Sequence, residues 1–277
     1  VAPLLNSDAL GGASAETPRT STKMCRPPRT GHCPFERSLC MPHHFVNRLR
    51  SHPLVREESF RRNQIRWESA SAIIYLVGGA LFVWGSVRFF PSLESRAENR
   101  GAWIFFAGSL LYLIVTGHDT TEVVRYRRQL DGPPTTSDRL EVWAACSYLI
   151  GTLLFIAGSI FFLSWVGDYS AGAWCFILGS LLFAVGATID VLQIVRAPDI
   201  RVLQLLNLTA LSFVVGSALF AVASVPYLFT FQSGDDERTV DTFLAAQFVV
   251  GSVLFLVGGF FNYRRAFLVI DSATSRD

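Results

Sequence analysis

The chain of 277 residues is 51% hydrophobic and 17% charged, and its formal net charge at pH 7 is +2. This composition excludes an ordinary soluble domain, in which about a quarter of the residues are charged. The apolar residues are also clustered into segments of about 20 residues, which is the length of helix that crosses a bilayer. We therefore predict an integral membrane protein.

Residues 1–60 differ in composition from the rest of the chain. They are rich in Pro, Ser, Thr and Arg, with no hydrophobic periodicity and no apolar stretch resembling a signal peptide. We predict a disordered cytoplasmic tail here and a transmembrane domain over residues 61–277. The cysteines and histidines of the tail lack the close C-x-x-C pairs of zinc modules, so we predict no metal site among them. They are Cys25, His32, Cys33, Cys40, His43 and His44.

Six apolar segments follow the tail, and each is bounded by charged or turn-rich sequence. An even number of helices places both termini on one side of the membrane. The segments are residues 67–90, 101–124, 140–165, 172–194, 203–231 and 239–263.

Arginine indicates the orientation, since Lys23 is the only lysine. Arginines are frequent before the first segment, in the second and fourth connections and after the last segment, and they are sparse in the other connections. The positive-inside rule therefore predicts that both termini are cytoplasmic. Most tryptophans fall near a predicted boundary, where an amphipathic ring is favoured. These are Trp67, Trp103, Trp143, Trp165 and Trp174.

A short motif, Gly-x-x-Leu followed by Phe or Tyr, occurs near the middle of every segment. Well under one copy would be expected by chance at these residue frequencies. Small residues on one helix face let a neighbouring backbone approach, so we predict that the aromatic residue of one helix packs over the glycine of another. The motifs begin at Gly78, Gly108, Gly151, Gly179, Gly216 and Gly251.

The motifs alternate between two kinds along the chain. In odd-numbered segments a small pair follows the glycine after seven residues, and in even-numbered segments a polar residue follows after eleven. The repeating unit is therefore a helical hairpin, present at about residues 66–128, 139–196 and 201–265. Parallel repeats are typically related by an axis along the membrane normal, so we predict an all-α, pseudo-threefold bundle of six transmembrane helices.

The hairpins resemble the YrhK-like domain family of small prokaryotic membrane domains. The resemblance rests on the motif and on an Arg-x-Glu sequence at the start of the helix that carries it, at residues 66–68 and 139–141. The third repeat departs from this pattern, with Gln204 and Leu206 in the corresponding places. The resemblance implies the fold and a prokaryotic plasma membrane, and it carries no established activity.

Polar residues near the predicted cytoplasmic boundary form the candidate site. One interpretation is a ring of acids and arginines that binds an ion or relays protons at the mouth of a central cavity. The other, which we favour, is that these groups pair and fix how the hairpins dock. His118, which has no counterpart in the other repeats, is expected to be a hydrogen-bonded interface residue. The candidate residues are Asp119, Asp190, Asn262, Glu68, Glu141, Arg66 and Arg139.

No catalytic, phosphate-binding or metal-binding motif is present in the sequence, so we expect neither enzymatic activity nor a cofactor. The expected partners are the lipid bilayer and either a membrane protein or further copies of the chain, and no nucleic acid. The middle of every segment lacks an ionisable residue, which favours a structural or accessory protein. The alternative is a transporter or channel, in which hydroxyls such as those of Ser86, Ser159 and Ser224 line a neutral pore.

Overall fold

The computed structural model describes residues 58–96, 98–128, 133–193, 200–229 and 234–274. The predicted tail lies outside these residues, except that residues 58–60 begin the first helix. The cysteines and histidines considered as zinc ligands in the tail also lie outside them.

Six α-helices account for nearly all of the described residues, and none of these residues forms a strand. Every helix is long and apolar enough to cross a membrane. The predicted all-α fold with six spans is therefore confirmed. The helices are α1 (Glu58–Arg88), α2 (Glu98–Arg128), α3 (Thr136–Phe161), α4 (Tyr169–Gln193), α5 (Ile200–Ser224) and α6 (Gly234–Thr274).

Two helices, α3 and α5, end well before the predicted boundaries of their segments. The segment 140–165 is helical only as far as Phe161, and the chain then turns through Gly167, whose φ of 65° is readily adopted only by glycine. The segment 203–231 is helical as far as Ser224 and continues as a 3-10 turn, because Pro226 has no N–H to extend an α-helix.

The helices close into a ring. Each helix packs against its neighbours in chain order, and α1 also packs against α6. The hairpins α1–α2, α3–α4 and α5–α6 are therefore arranged around a common axis and do not lie in a row. This closure agrees with the predicted pseudo-threefold arrangement.

Close contact between the motif glycines holds each hairpin together. In the α3–α4 hairpin, a Cβ atom on Gly151 would lie 2.7 Å from Cδ2 of Phe183 and 3.0 Å from the carbonyl oxygen of Gly179. A Cβ atom on Gly179 would lie 2.9 Å from Phe155 and 3.1 Å from the carbonyl oxygen of Gly151. Cβ atoms in proteins rarely approach a neighbouring atom so closely, so a side chain at either position would force the facing ring or backbone to shift. The predicted packing of an aromatic ring over a glycine is confirmed.

The other hairpins repeat this reciprocal contact. In each of them, the motif glycine of one helix faces the motif aromatic ring of its partner helix and also the carbonyl oxygen of its partner glycine. All six motif glycines therefore serve the same purpose. The glycine and aromatic pairs are Gly78 with Tyr112, Gly108 with Phe82, Gly216 with Phe255, and Gly251 with Phe220.

A second set of contacts extends the hairpin interface on either side of the motif. On one helix of a hairpin, an aromatic residue lies three positions before the motif glycine. This residue packs against a second glycine of the partner helix, which lies seven positions after the motif glycine of that partner. The pairs are Phe105 with Gly85, Phe176 with Gly158, Tyr148 with Gly186, and Phe213 with Gly258. The first hairpin has Val115 in place of a glycine, and Tyr75 packs instead on Gly259 of α6. This exception joins the first hairpin to the third.

The substitution Gly151→Ala tests the contact directly. It should lower the free energy of unfolding by about 1–3 kcal/mol, because the added methyl group meets the ring of Phe183 and the backbone of Gly179. This corresponds to a Tm lower by roughly 3–10 °C, measured by thermal unfolding in detergent.

Gly117→Ala is the matched control, since a Cβ atom at this helical glycine would have nothing within 4 Å. The control should leave Tm unchanged or raise it slightly, because alanine favours the helix over glycine. Equal effects of the two substitutions would contradict the proposed role of the close contact.

Candidate functional site

Aromatic side chains fill the axis of the ring. The rings of Phe105, Phe176 and Phe248, from the three even-numbered helices, meet one another with centroid separations of 6.1, 6.5 and 6.5 Å. Because these helices are not neighbours in the ring, the contacts place the side chains inside it. The near-equal separations agree with a threefold axis through this layer.

Further layers of three side chains lie above and below this triangle, and they come alternately from odd-numbered and even-numbered helices. Phe155 contacts Phe82 and Phe220 at centroid distances of 6.2 and 5.7 Å, and Phe183 contacts Phe255 at 5.9 Å. The layers in order are Phe89, Phe162 and Tyr227; Phe105, Phe176 and Phe248; Phe82, Phe155 and Phe220; Tyr112, Phe183 and Phe255; and Tyr75, Tyr148 and Phe213.

A cavity at the centre of the axis is very small. Its volume is about 10 Å³, which is the lower limit for a single water molecule. The hydroxyl of Thr152, which lines it, donates a hydrogen bond to the carbonyl oxygen of Tyr148 at 2.8 Å. All six motif aromatic residues and Ser109 complete the lining. The cavity is therefore a packing gap between aromatic layers.

The serines considered as the lining of a neutral pore are fully buried. Each donates a hydrogen bond to the carbonyl oxygen four residues earlier: Ser86 at 2.7 Å, and Ser159 and Ser224 at 2.8 Å each. Ser86 also bonds Ser252 of α6 at 2.9 Å. These hydroxyls therefore satisfy the helix backbone and one contact between hairpins.

One end of the axis is polar, and we call it the polar end. Asp119, Asp190 and Asn262 lie here with only 4%, 6% and 3% of their surfaces exposed. They stand eleven residues after the motif glycines of the even-numbered helices, and they lie beyond the layer of Tyr75, Tyr148 and Phe213. The aromatic filling of the axis therefore gives way to a buried polar layer at this end.

Asp190 is the best-defined member of the polar layer. The hydroxyl of Tyr148 donates a hydrogen bond to its Oδ2 atom at 2.8 Å. Its carboxylate also interacts electrostatically with Arg265 of α6 and Asp119 of α2. Because α2, α4 and α6 are not neighbours in the ring, these interactions cross its interior.

The remaining candidate residues separate into two groups. Glu141 is buried, with 1% of its surface exposed, whereas Arg66 and Arg139 are exposed. The side chain of Glu68 lies outside the described residues. The structure therefore places the described acids inside the bundle and these two arginines at its surface.

Two members of the polar end were not among the predicted site residues. Tyr148 lies three residues before the motif glycine Gly151, on the same helix face. This spacing indicates that the Tyr148 side chain faces the interior of the bundle. Arg265 lies three residues after Asn262 on α6. It counted in the sequence only as one of the C-terminal arginines that indicate orientation, yet only 4% of its surface is exposed.

His118 contributes to the interface between α1 and α2. The indole Nε1 of Trp67 donates a hydrogen bond to Nδ1 of His118 at 2.8 Å, and the ring centroids are 4.4 Å apart. The expected role as a hydrogen-bonded interface residue agrees with this contact. Over the described residues, no group of three or more His, Cys, Asp and Glu side chains is arranged to hold a metal ion.

The six apolar helices define a multi-pass membrane protein built from helical hairpins. The family model of YrhK-like proteins matches residues 65–123 and 138–195, which correspond to the α1–α2 and α3–α4 hairpins. The resemblance drawn from the sequence is therefore confirmed for the first two hairpins, and the matches do not include the third. No curated protein and no solved structure matches the chain.

The substitution Tyr148→Phe tests the hydrogen bond to the polar layer. It should lower the free energy of unfolding by about 1–3 kcal/mol, because a buried carboxylate loses its donor. Tyr75→Phe is the control at the equivalent position, where the hydroxyl is 3.5 Å from the carbonyl oxygen of Phe255. Thermal unfolding should show the larger loss for Tyr148→Phe, and the reverse order would contradict the assigned contact.

Proposed function

We propose that the protein is a non-conducting membrane bundle with a structural or accessory role. The observation that carries this proposal is the aromatic filling of the axis, in which successive layers of three side chains leave a gap of only about 10 Å³. Ion and solute paths need polar stations or a hydrated lumen across the membrane. Between its polar end and its opposite end, the described part of the axis is lined by aromatic rings and a few hydroxyl groups, with no lumen larger than this gap.

A bundle of this kind would act through its surfaces. The proposed partners are the lipid bilayer and either another membrane protein or further copies of the chain. The large apolar side chains on the outside, such as Trp84, Trp103 and Leu181, are about half exposed. They support contact with lipid or with other apolar helices. The proposal assigns no enzymatic chemistry to the bundle.

We further propose that the polar end and both termini face the cytoplasm of a prokaryotic cell, in the plasma membrane. The exposed arginines at this end support the orientation, because cytoplasmic ends of membrane helices carry an excess of positive charge. They are Arg66, Arg125, Arg127, Arg128, Arg139 and Arg264.

A transporter or channel is the second candidate function. It is favoured by one observation, namely that ionisable side chains are buried at the polar end, since such residues often mark ion paths in membranes. On this alternative, Asp119, Asp190 and Asn262 would line a vestibule. Their low exposure, between 3% and 6%, supports instead the interpretation that they dock the hairpins.

Thiol accessibility separates the two candidates. In a chain whose five cysteines are replaced, Thr152→Cys places a thiol at the axial cavity and Ser137→Cys places one at an exposed site. A membrane-impermeant reagent applied to the cytoplasmic side should label Ser137→Cys and should label Thr152→Cys at least about 100-fold more slowly, because labelling requires opening of a packed core. Rapid labelling of Thr152→Cys in folded protein would contradict the proposal.

Flux through the purified protein supplies the complementary measurement. Vesicles containing the protein should take up K⁺, Na⁺ and Cl⁻ no faster than vesicles without it. Uptake that depends on the protein and is abolished by Asp190→Asn would favour the transporter or channel.

A further inference from the structure

The third hairpin differs from the other two at the polar end. Asn262 stands where the first and second hairpins have Asp119 and Asp190. Leu206 stands at the position of Glu68 and Glu141. The third hairpin therefore has neither of the acids that the sequences of the first two carry at these positions.

The third hairpin also contributes a positive charge that the others lack. Arg265 lies fourteen residues after the motif glycine of α6, and the corresponding residues of α2 and α4 are Glu122 and Gln193. Within the described part of the chain, Arg265 is the only lysine or arginine among the buried residues. Its neighbour Arg264 is exposed. The direction of the Arg265 side chain into the bundle is therefore specific to this position.

A buried arginine in a membrane bundle is costly unless an opposite charge lies close to it. The buried acids at this level are Asp119, Asp190 and Glu141, with 4%, 6% and 1% of their surfaces exposed. They come from the first and second hairpins only. Asp190 interacts electrostatically with Arg265 and also with Asp119.

We propose that the third hairpin is the built-in cationic partner of the first two, and that Arg265 supplies the buried positive charge that holds the acids of α2 and α4 at the polar end. The ring then requires two acidic hairpins and one basic hairpin. Three copies of the first type would bring only acids together at the polar end, with no buried cation between them, and like charges at short range destabilise one another.

The proposal also accounts for the sequence of the third hairpin. The family model matches the first two hairpins, which carry the acids. The third keeps the motif glycines and the axial aromatic residues, and it differs at the positions that set the charge at the polar end. Its differences from the first two therefore include the positions where a different charge is needed.

A double-mutant cycle between Arg265 and Asp190 tests the proposal. Arg265→Met should lower Tm by about 10 °C, because it leaves buried acids without their cation. Asp190→Asn should also lower Tm. The double variant should regain at least about half of the loss caused by Arg265→Met, because removing both charges leaves fewer uncompensated groups than removing one. Arg264→Met is the matched control and should leave Tm unchanged.

The measured Tm values distinguish a charge pair from two independent residues. An unchanged Tm for Arg265→Met, or losses that simply add in the double variant, would overturn the proposal. If Arg265→Met gives no folded protein, the yield of monodisperse double variant becomes the readout. Recovery of that yield would support the charge pairing, and a double variant that is also unfolded would overturn it. Arg265→Lys, which keeps the charge, should fold and retain most of the native Tm.

Discussion

The close approach of two glycine backbones in each hairpin is the constraint on which the rest of the structure depends. Within a bilayer no hydrophobic force draws apolar helices together, so their association relies on close packing. In all three hairpins the carbonyl oxygen of each motif glycine lies 3.0–3.3 Å from where its partner glycine would carry a Cβ atom. Contact at this distance fixes the register of the two helices to a single residue.

The register in turn decides what fills the axis. Aromatic residues stand three positions before and four positions after each motif glycine, so an antiparallel pair in this register places them at staggered depths. Odd-numbered and even-numbered helices then contribute alternate layers, because each side chain leans toward the N-terminus of its own helix. The same glycines that bring the helices together leave room for the rings to lie between them. Helix contact and axial packing are therefore two consequences of one spacing.

The spacing could be recognised from the sequence, and with it the hairpins and the contact of aromatic rings with glycines. Other features depend on the assembled ring and could not be predicted in this way. Tyr75 packs on Gly259 of the third hairpin because Val115 occupies the place where a glycine would receive it. The burial of Arg265 was not evident either, since an arginine beyond the last apolar residues usually extends to the membrane surface. The direction of such a side chain is set by neighbouring helices, which the sequence of one segment does not contain.

The polar end is the place where the three repeats stop being equivalent. Along the aromatic layers, exchange of one hairpin for another would change little, since phenylalanine and tyrosine occupy matching positions. At the level of Asp119, Asp190 and Asn262 the exchange would alter the buried charge, which is costly in a medium of low dielectric constant. The order of the hairpins along the chain therefore determines the buried charge at this end.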